Sequence, residues 1–366
     1  MIDLIKNEDS MEKEKKSKIK KILVNLTIFI LLIILTFSLV LKDQDVSQIF
    51  SVAAKVKKQY ILFAVLAMSI YILGEAVNIT RILKELGEKS KFISNIRYTL
   101  IGFFFSAITP AASGGQPMEI YYMHKDDISV ANSTLALLMQ LCSLQIVTIT
   151  VGIISAVIHF DVLKSGLIYL LIIGIILNSS ALMLLIIAIF SKRLSEGLIK
   201  FVVKLLKFFR IHNVEKKQEK LEKELESYQT SAKYIKEHKI LMLKTILTTL
   251  VQMIAYYSVP YWIYLAFGLK EYNIFEIATL QAVLYATVSG IPSPGSVGVS
   301  EGGFLGIFRN VFPETIISSA MLLTRGANFY LFIIISAIIV MISTFRDRRE
   351  EKKQKSQNEE IIEKAE

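Results

Sequence analysis

Apolar residues in this chain fall into blocks long enough to cross a bilayer, about 20 residues each, separated by polar, lysine-rich stretches. Full-length blocks run over Ile22–Leu41, Tyr60–Leu83, Val130–Phe160, Gly166–Phe190, Ile240–Gly268 and Ile316–Ile342. Two more, Phe92–Ile108 and Ile274–Ser289, hold 17 and 16 residues and fall just short of the usual crossing length. Each short block ends in a break. The first break is Thr109-Pro110-Ala111-Ala112-Ser113-Gly114-Gly115-Gln116-Pro117, and the second runs from Ser289 to Gly303. With two prolines and five glycines in fifteen residues, the second break cannot continue a helix. Backbone groups freed inside hydrocarbon are tolerated only where protein or a wet cavity surrounds them. Both breaks are therefore site candidates on backbone grounds alone.

After the first break, Pro117 suits the first position of a new helix, Met118–Met123, and Ser129 suits the N-cap of the next. After the second, the helix restarts near Ser300 as Glu301–Asn310. Residues 1–21 form a basic arm, and 46–59 form an amphipathic connector. The stretch 191–239 is polar and basic: Lys192–Arg210 suits a helix on the membrane surface, and Val214–His238 a solvated helix. Residues 346–366 form a charged tail.

Lysine and arginine mark cytoplasmic loops. Placing residues 1–21, 84–97, 191–239 and 346–366 on the cytoplasmic side leaves a consistent path. It has six full spans and two re-entrant hairpins, the first entering from the cytoplasm and the second from outside. The expected fold is an all-α polytopic membrane protein with cytoplasmic termini, its membrane domain covering 22–345. Within it, 60–160 and 240–342 form an inverted repeat flanking the insert 191–239, a plan common among secondary transporters. The competing reading makes both breaks simple loops between full spans.

Composition agrees: 53% of the 366 residues are hydrophobic, and the mean hydropathy is +0.51. The net charge of +10 sits mainly in the arm, insert and tail, so it reads as topology and contact with anionic lipid rather than nucleic-acid binding. One cysteine, Cys142, and the scattered His124, His159, His212 and His238 offer neither a disulfide framework nor a metal or catalytic cluster. No cofactor or metal is expected. The expected partners are membrane lipids with an anionic headgroup, in the plasma membrane, and a homo-oligomer is compatible with the sequence.

Arg325 lies well inside the last span, where an arginine costs about 2.5–3.5 kcal/mol on insertion scales and faces a partner or a wet cavity. Glu301 is its expected partner. The pair reads either as a structural ion pair or as a holder for a lipid phosphate. The helix restarts near Pro117 and Ser300 offer unpaired N–H groups to an anion. Glu75, Glu119, Gln116, Gln140 and Gln252 are candidates to line the same cavity, although interhelical hydrogen bonding alone would also explain the glutamines. Asp126-Asp127 reads as a charged turn.

The two breaks, from Thr109 through Tyr122 and from Ile291 through Gly303, together with Leu323-Thr324-Arg325, resemble the flippase-like membrane domain of the lysylphosphatidylglycerol synthase (multiple peptide resistance factor) family. The resemblance covers roughly residues 20–345. It points to Pro110, Gly114, Gly115, Gln116, Pro117, Glu119, Pro292, Pro294, Gly295, Gly298, Ser300, Glu301 and Arg325 as lipid-handling residues. Family members often carry arginine at the positions of Glu119 and Ser300, so this chain is expected to handle a different lipid. The resemblance implies a translocase for an anionic or aminoacylated phospholipid, or for a polyprenyl-phosphate lipid. The family name also implies a phosphatidylglycerol lysyltransferase, which would use lysyl-tRNA. Neither the polar insert nor the tail is long enough to bury such a catalytic domain. A third reading is a non-transporting membrane partner docking through Lys192–Arg210.

Overall fold

The computed structural model describes residues 51–109, 112–159, 167–191, 214–291 and 293–346, with isolated positions at 27, 31, 193 and 197. The arm 1–21, most of Ile22–Leu41 and Lys192–Arg210, the tail beyond Arg346, and both Pro110 and Pro292 lie outside the described residues. The first of the expected six spans is among these.

In chain order the helices are α1 (Lys58–Glu85), α2 (Phe92–Ile108), α3 (Gly115–Lys125), α4 (Val130–Ile158), α5 (Leu167–Phe190), α6 (Val214–Glu237), α7 (Lys239–Tyr257), α8 (Val259–Ala266), α9 (Ile274–Val288), α10 (Val299–Ile307) and α11 (Ile317–Arg325). Helix α11 passes through a π turn, Gly326–Tyr330, and continues as helix to Arg346. No strand occurs among the described residues. Five helical runs are long and apolar enough to cross a membrane: α1, α4, α5, the α7–α8 pair and extended α11. They coincide with five of the expected spans. Helices α2 and α9 are the shorter apolar ones, and the protein is a multi-pass membrane protein.

The bundle is greasy outside as well as inside, and polar side chains are set among its apolar core. Leu243, Leu247, Val251 and Ile254 are exposed on α7, and Tyr169, Ile176, Met183 and Leu184 on α5. Their inward neighbours include Thr245, Thr249 and Gln252 on α7 and Asn178 on α5, all buried. Lipid solvates apolar side chains as well as a protein core does, so small and polar residues gather where helices meet. Asn78 is the hub of that interior: its Nδ2 donates to Gln140 Oε1 (2.8 Å) and Thr249 Oγ1 (3.0 Å), and its Oδ1 accepts from Arg81 (3.0 Å). One asparagine thus ties α1, α4 and α7 together.

The contacts fix directions. Gly74 packs on Gln252, Asn78 bonds Thr249 and Arg81 bonds Thr248, so α7 runs antiparallel to α1. On one end of the bundle, Asp126 accepts from Arg97 and from Arg346, Glu88 accepts from Asn132, and Ser231 donates to Asn132. This end gathers the α1–α2 and α3–α4 turns, α6 and the end of extended α11. At the other end, the Lys57 N–H donates to the Ala266 carbonyl (3.0 Å), and His159 pairs with Thr279 (2.7 Å). Helix α2 therefore enters from the first end and α3 returns to it, with Gly102 facing Glu119 and Ser106 facing Gly115. Helix α9 enters from the opposite end, and α10 turns back on it through Gly303 against Leu284. Two helical hairpins point into the bundle from opposite ends.

The local starts differ slightly from expectation. Helix α3 begins at Gly115, so Pro117 is its third residue rather than its first. The shift costs no hydrogen bond, because the first four N–H groups of a helix have no intrahelical acceptor. Helix α10 begins at Val299, one residue before the expected restart. Ser129 does cap α4, its side chain accepting from Asn132 N.

Candidate functional site

The second tip is built around a buried arginine. Its chain makes a single 3₁₀ turn at Pro294–Ser296 with Gly295 at φ +57°, then reaches Gly298 at φ +87°. At Gly295 glycine is favoured on steric grounds too: a Cβ would lie 2.2 Å from the Phe329 ring, which would have to shift. Gly298 precedes α10, whose third residue is Glu301, and Glu301 Oε2 accepts the Gly298 N–H at 2.7 Å. This is half of a capping box, since glycine has no side chain to return the bond. The other carboxylate oxygen, Oε1, accepts from Arg325 Nε (2.8 Å) and from the Tyr330 hydroxyl (3.1 Å). Arg325 Nη2 donates to the Gly295 carbonyl (3.1 Å), and the guanidinium sits 4.1 Å from the centre of the Phe329 ring. The π turn carries Phe329 and Tyr330 onto the same side as Arg325, and such turns are frequent at functional sites.

The first tip is held by hydroxyls. Thr109 Oγ1 donates to the Phe105 carbonyl (2.6 Å) and accepts the Gly114 N–H (2.9 Å). Small residues let α3 lie directly on α2: a Cβ on Gly115 would meet Ser106 Oγ at 2.0 Å, and one on Gly102 would meet Glu119 Oε1 at 1.9 Å.

Between the tips lies a cavity of about 510 Å³. Ala112, Gln116 and Glu119 reach it from the first hairpin, and Ser293, Gly295, Ser296 and Ser300 from the second. Glu75, Gln140 and Arg325 also lie on its wall. The remaining expected site residues among those described stand back from it. Gly114, Gly115 and Pro117 shape the first turn, and Pro294 and Gly298 the second. Glu301 is fully buried behind Arg325. Gln252 does not line the cavity either. It packs under Gly74, and its Oε1 accepts from Gln140 Nε2 (3.4 Å), while its Nε2 is buried without a partner.

The N-terminus of α10 is not an open anion site, because Glu301 already occupies it. Arg325 faces the cavity while its charge is answered by Glu301, and from α11 it clasps the second hairpin through Gly295 rather than bridging the two tips. What joins the hairpins is apolar: Phe329 lies against Phe103 of α2 with ring centres 6.0 Å apart, and Val297 packs in the same cluster as α2 residues.

Sequence reasoning missed an aromatic wall. Tyr71, Tyr256 and Tyr285 line the cavity, with ring centres 5.3 Å apart for Tyr71–Tyr256 and for Tyr256–Tyr285. Tyrosine at mid-span, away from the interfacial belt where it is normally enriched, was a usable signal. Asn178 was another, a buried amide in the most apolar helix; its Nδ2 donates to the Gly174 and Ala286 carbonyls, and its Oδ1 accepts from Ser289.

An all-α multi-pass bundle, with two oppositely directed hairpins closing on a cavity of mixed polar and apolar wall, defines a class of membrane protein. Residues 22–336 match the family model described as the lysylphosphatidylglycerol synthase TM region, and the chain belongs to that family. A UPF0104 membrane protein of Archaeoglobus fulgidus is 26% identical over 271 residues, which is 72% of this chain and 80% of that protein.

Proposed function

We propose that this protein moves a lipid between membrane leaflets, passing its headgroup through the cavity between the hairpin tips. The substrate class is an anionic or aminoacylated phospholipid, or a polyprenyl-phosphate lipid. The observation that carries this reading is the position of the cavity, where hairpins from opposite ends both contribute polar wall. A volume of about 510 Å³ accommodates a phosphate and its substituent but not two acyl chains, so the tails would stay in the bilayer. Membership of a family named for a lipid synthase supports a lipid substrate.

Among the described residues, basic side chains are denser at the end holding Lys84, Lys89, Lys91, Lys125, Lys236 and Lys239 than at the end holding Lys55, Lys57, Lys58 and Lys270. That asymmetry supports a cytoplasmic first face in a cell membrane. The test is lipid identification by mass spectrometry on protein purified in mild detergent. A defined phospholipid or polyprenyl phosphate should co-purify with the wild type and be depleted from Ser293→Trp, which fills the cavity. Equal, non-selective lipid in both would remove the reading.

A further inference from the structure

We propose that Glu75 and Glu119 form a binding site for a monovalent inorganic cation, a proton or an alkali ion, inside this cavity. The proposal rests on the translocation reading, since the cation it names accompanies the lipid through the same space.

Carboxylates inside the bundle are of two kinds. Glu301 is matched by a guanidinium, a backbone N–H and a phenol. Glu75 and Glu119 are not: among the described residues, neither has a hydrogen-bond or ion-pair partner. Glu119 is only 3% exposed, its Oε2 is buried without a donor, and it faces the cavity. The fold has made room for it, because the facing α2 residue is Gly102, where any Cβ would displace the carboxyl group. Glu75, half-buried on α1, lies on the wall of the same cavity. A buried carboxylate without a partner is expensive, so it either carries a proton or holds a cation.

The surroundings point the same way. Thr99, one turn along α2 from Gly102, is 1% exposed, and its unpartnered hydroxyl oxygen lies on the cavity wall. Gln281 adds an unpartnered amide oxygen at 4% exposure. Oxygen ligands of this kind suit a hard cation. The other titratable groups facing the pair are phenols: Tyr71, Tyr256 and Tyr285 line the same cavity. Arg325 shares the cavity, but Glu301 answers its charge. Two uncompensated carboxylates would repel a lipid phosphate, and a cation held between them removes that repulsion. An ammonium on the lipid headgroup presents the same chemistry from a second source, so amine-free conditions separate the two.

The test uses the full chain in amine-free detergent micelles, reading the thermal unfolding midpoint. One arm replaces N-methylglucamine chloride with sodium or potassium chloride at fixed pH. The other lowers the pH from about 8 to about 5 in N-methylglucamine chloride. A ligand that binds only the native state raises the midpoint. The wild type should therefore show a saturating rise in at least one arm, absent in Glu75→Gln and Glu119→Gln and weakened in Gly102→Ala. A wild type that responds in neither arm, or a response shared by all the variants, overturns the proposal. Lipid movement indifferent to cations and pH would remove this site alone, whereas saturable cation binding without lipid movement would remove translocation alone.

Discussion

Arg325 Nε and Glu301 Oε1 lie 2.8 Å apart at the tip of the second hairpin, with Arg325 6% exposed and Glu301 fully buried. The pair is anchored on both sides, because Glu301 also holds the Gly298 N–H and Arg325 the Gly295 carbonyl. It is the fastener that gives a glycine-rich turn a single shape inside hydrocarbon.

Removing one member of a buried pair leaves the other uncompensated, at a cost of about 3–5 kcal/mol. Glu301→Ala and Arg325→Ala should each lower stability by that order. The double variant should lose much less than the sum, because the two share one interaction. Denaturant unfolding in mixed micelles measures the cycle, and additive losses would contradict the geometry.

Gly295→Ala should destabilise the second tip by about 1–3 kcal/mol, combining strain at φ +57° with a clash on Phe329. The Phe329→Ala background relieves the clash and not the strain, so the loss should shrink without vanishing. Thermal melts of the single and paired variants provide the measurement.

Asn78→Leu removes the hub between α1, α4 and α7 and takes away the donor to Gln140 Oε1 and Thr249 Oγ1 and the acceptor of Arg81. Interhelical hydrogen bonds in membranes average about 0.6 kcal/mol and reach about 1.7, so losing several at once should cost about 2 kcal/mol. By contrast, Asp126→Asn weakens two ion pairs at one end of the bundle, to Arg97 and to half-exposed Arg346, and the bond from the Tyr98 hydroxyl. Its effect should be about 1–3 kcal/mol and fade only in part with salt.

His159 gives a pH signature at the end of the bundle opposite Asp126. Partial burial lowers its imidazole pKa, only partly offset by Glu276. The unfolded chain then binds the proton more readily than the native one. This contribution to stability is present above about pH 6.5 and is lost as the pH falls below it. His159→Gln, with Thr279 as its neighbour, should flatten that part of the stability–pH curve.

Lysyl transfer is checked directly. Incubating the purified chain with lysyl-tRNA and phosphatidylglycerol should yield no lysyl-lipid, and product would favour the enzyme reading over translocation.

Much of the fold was legible because membrane helices announce themselves by length and hydropathy. The starts of α1, α4 and α7 fell within two residues of expectation. Hairpin direction was also readable, since lysines mark loop ends and an odd crossing would place them inconsistently. The Arg325–Glu301 pairing followed from the cost of an unmatched charge at mid-span. What stayed hidden is tertiary. Nothing local says that Glu119 lies over Gly102, that Gln252 serves Gln140 rather than the cavity, or that Tyr71, Tyr256 and Tyr285 share a wall. Those relations join residues of different helices, and helical periodicity carries no information about which faces meet.

The central claim is that lipid passes between the hairpin tips. The direct measurement is leaflet exchange of fluorescent phospholipid in proteoliposomes, read by dithionite quenching, for the wild type and for Ser293→Trp and Gln116→Trp. The account predicts exchange by the wild type and its loss in both cavity-filling variants, with folding intact by thermal melt. Exchange that is undiminished when the cavity is filled, or a wild type that moves none of the anionic, aminoacylated or polyprenyl-phosphate lipids, would contradict it.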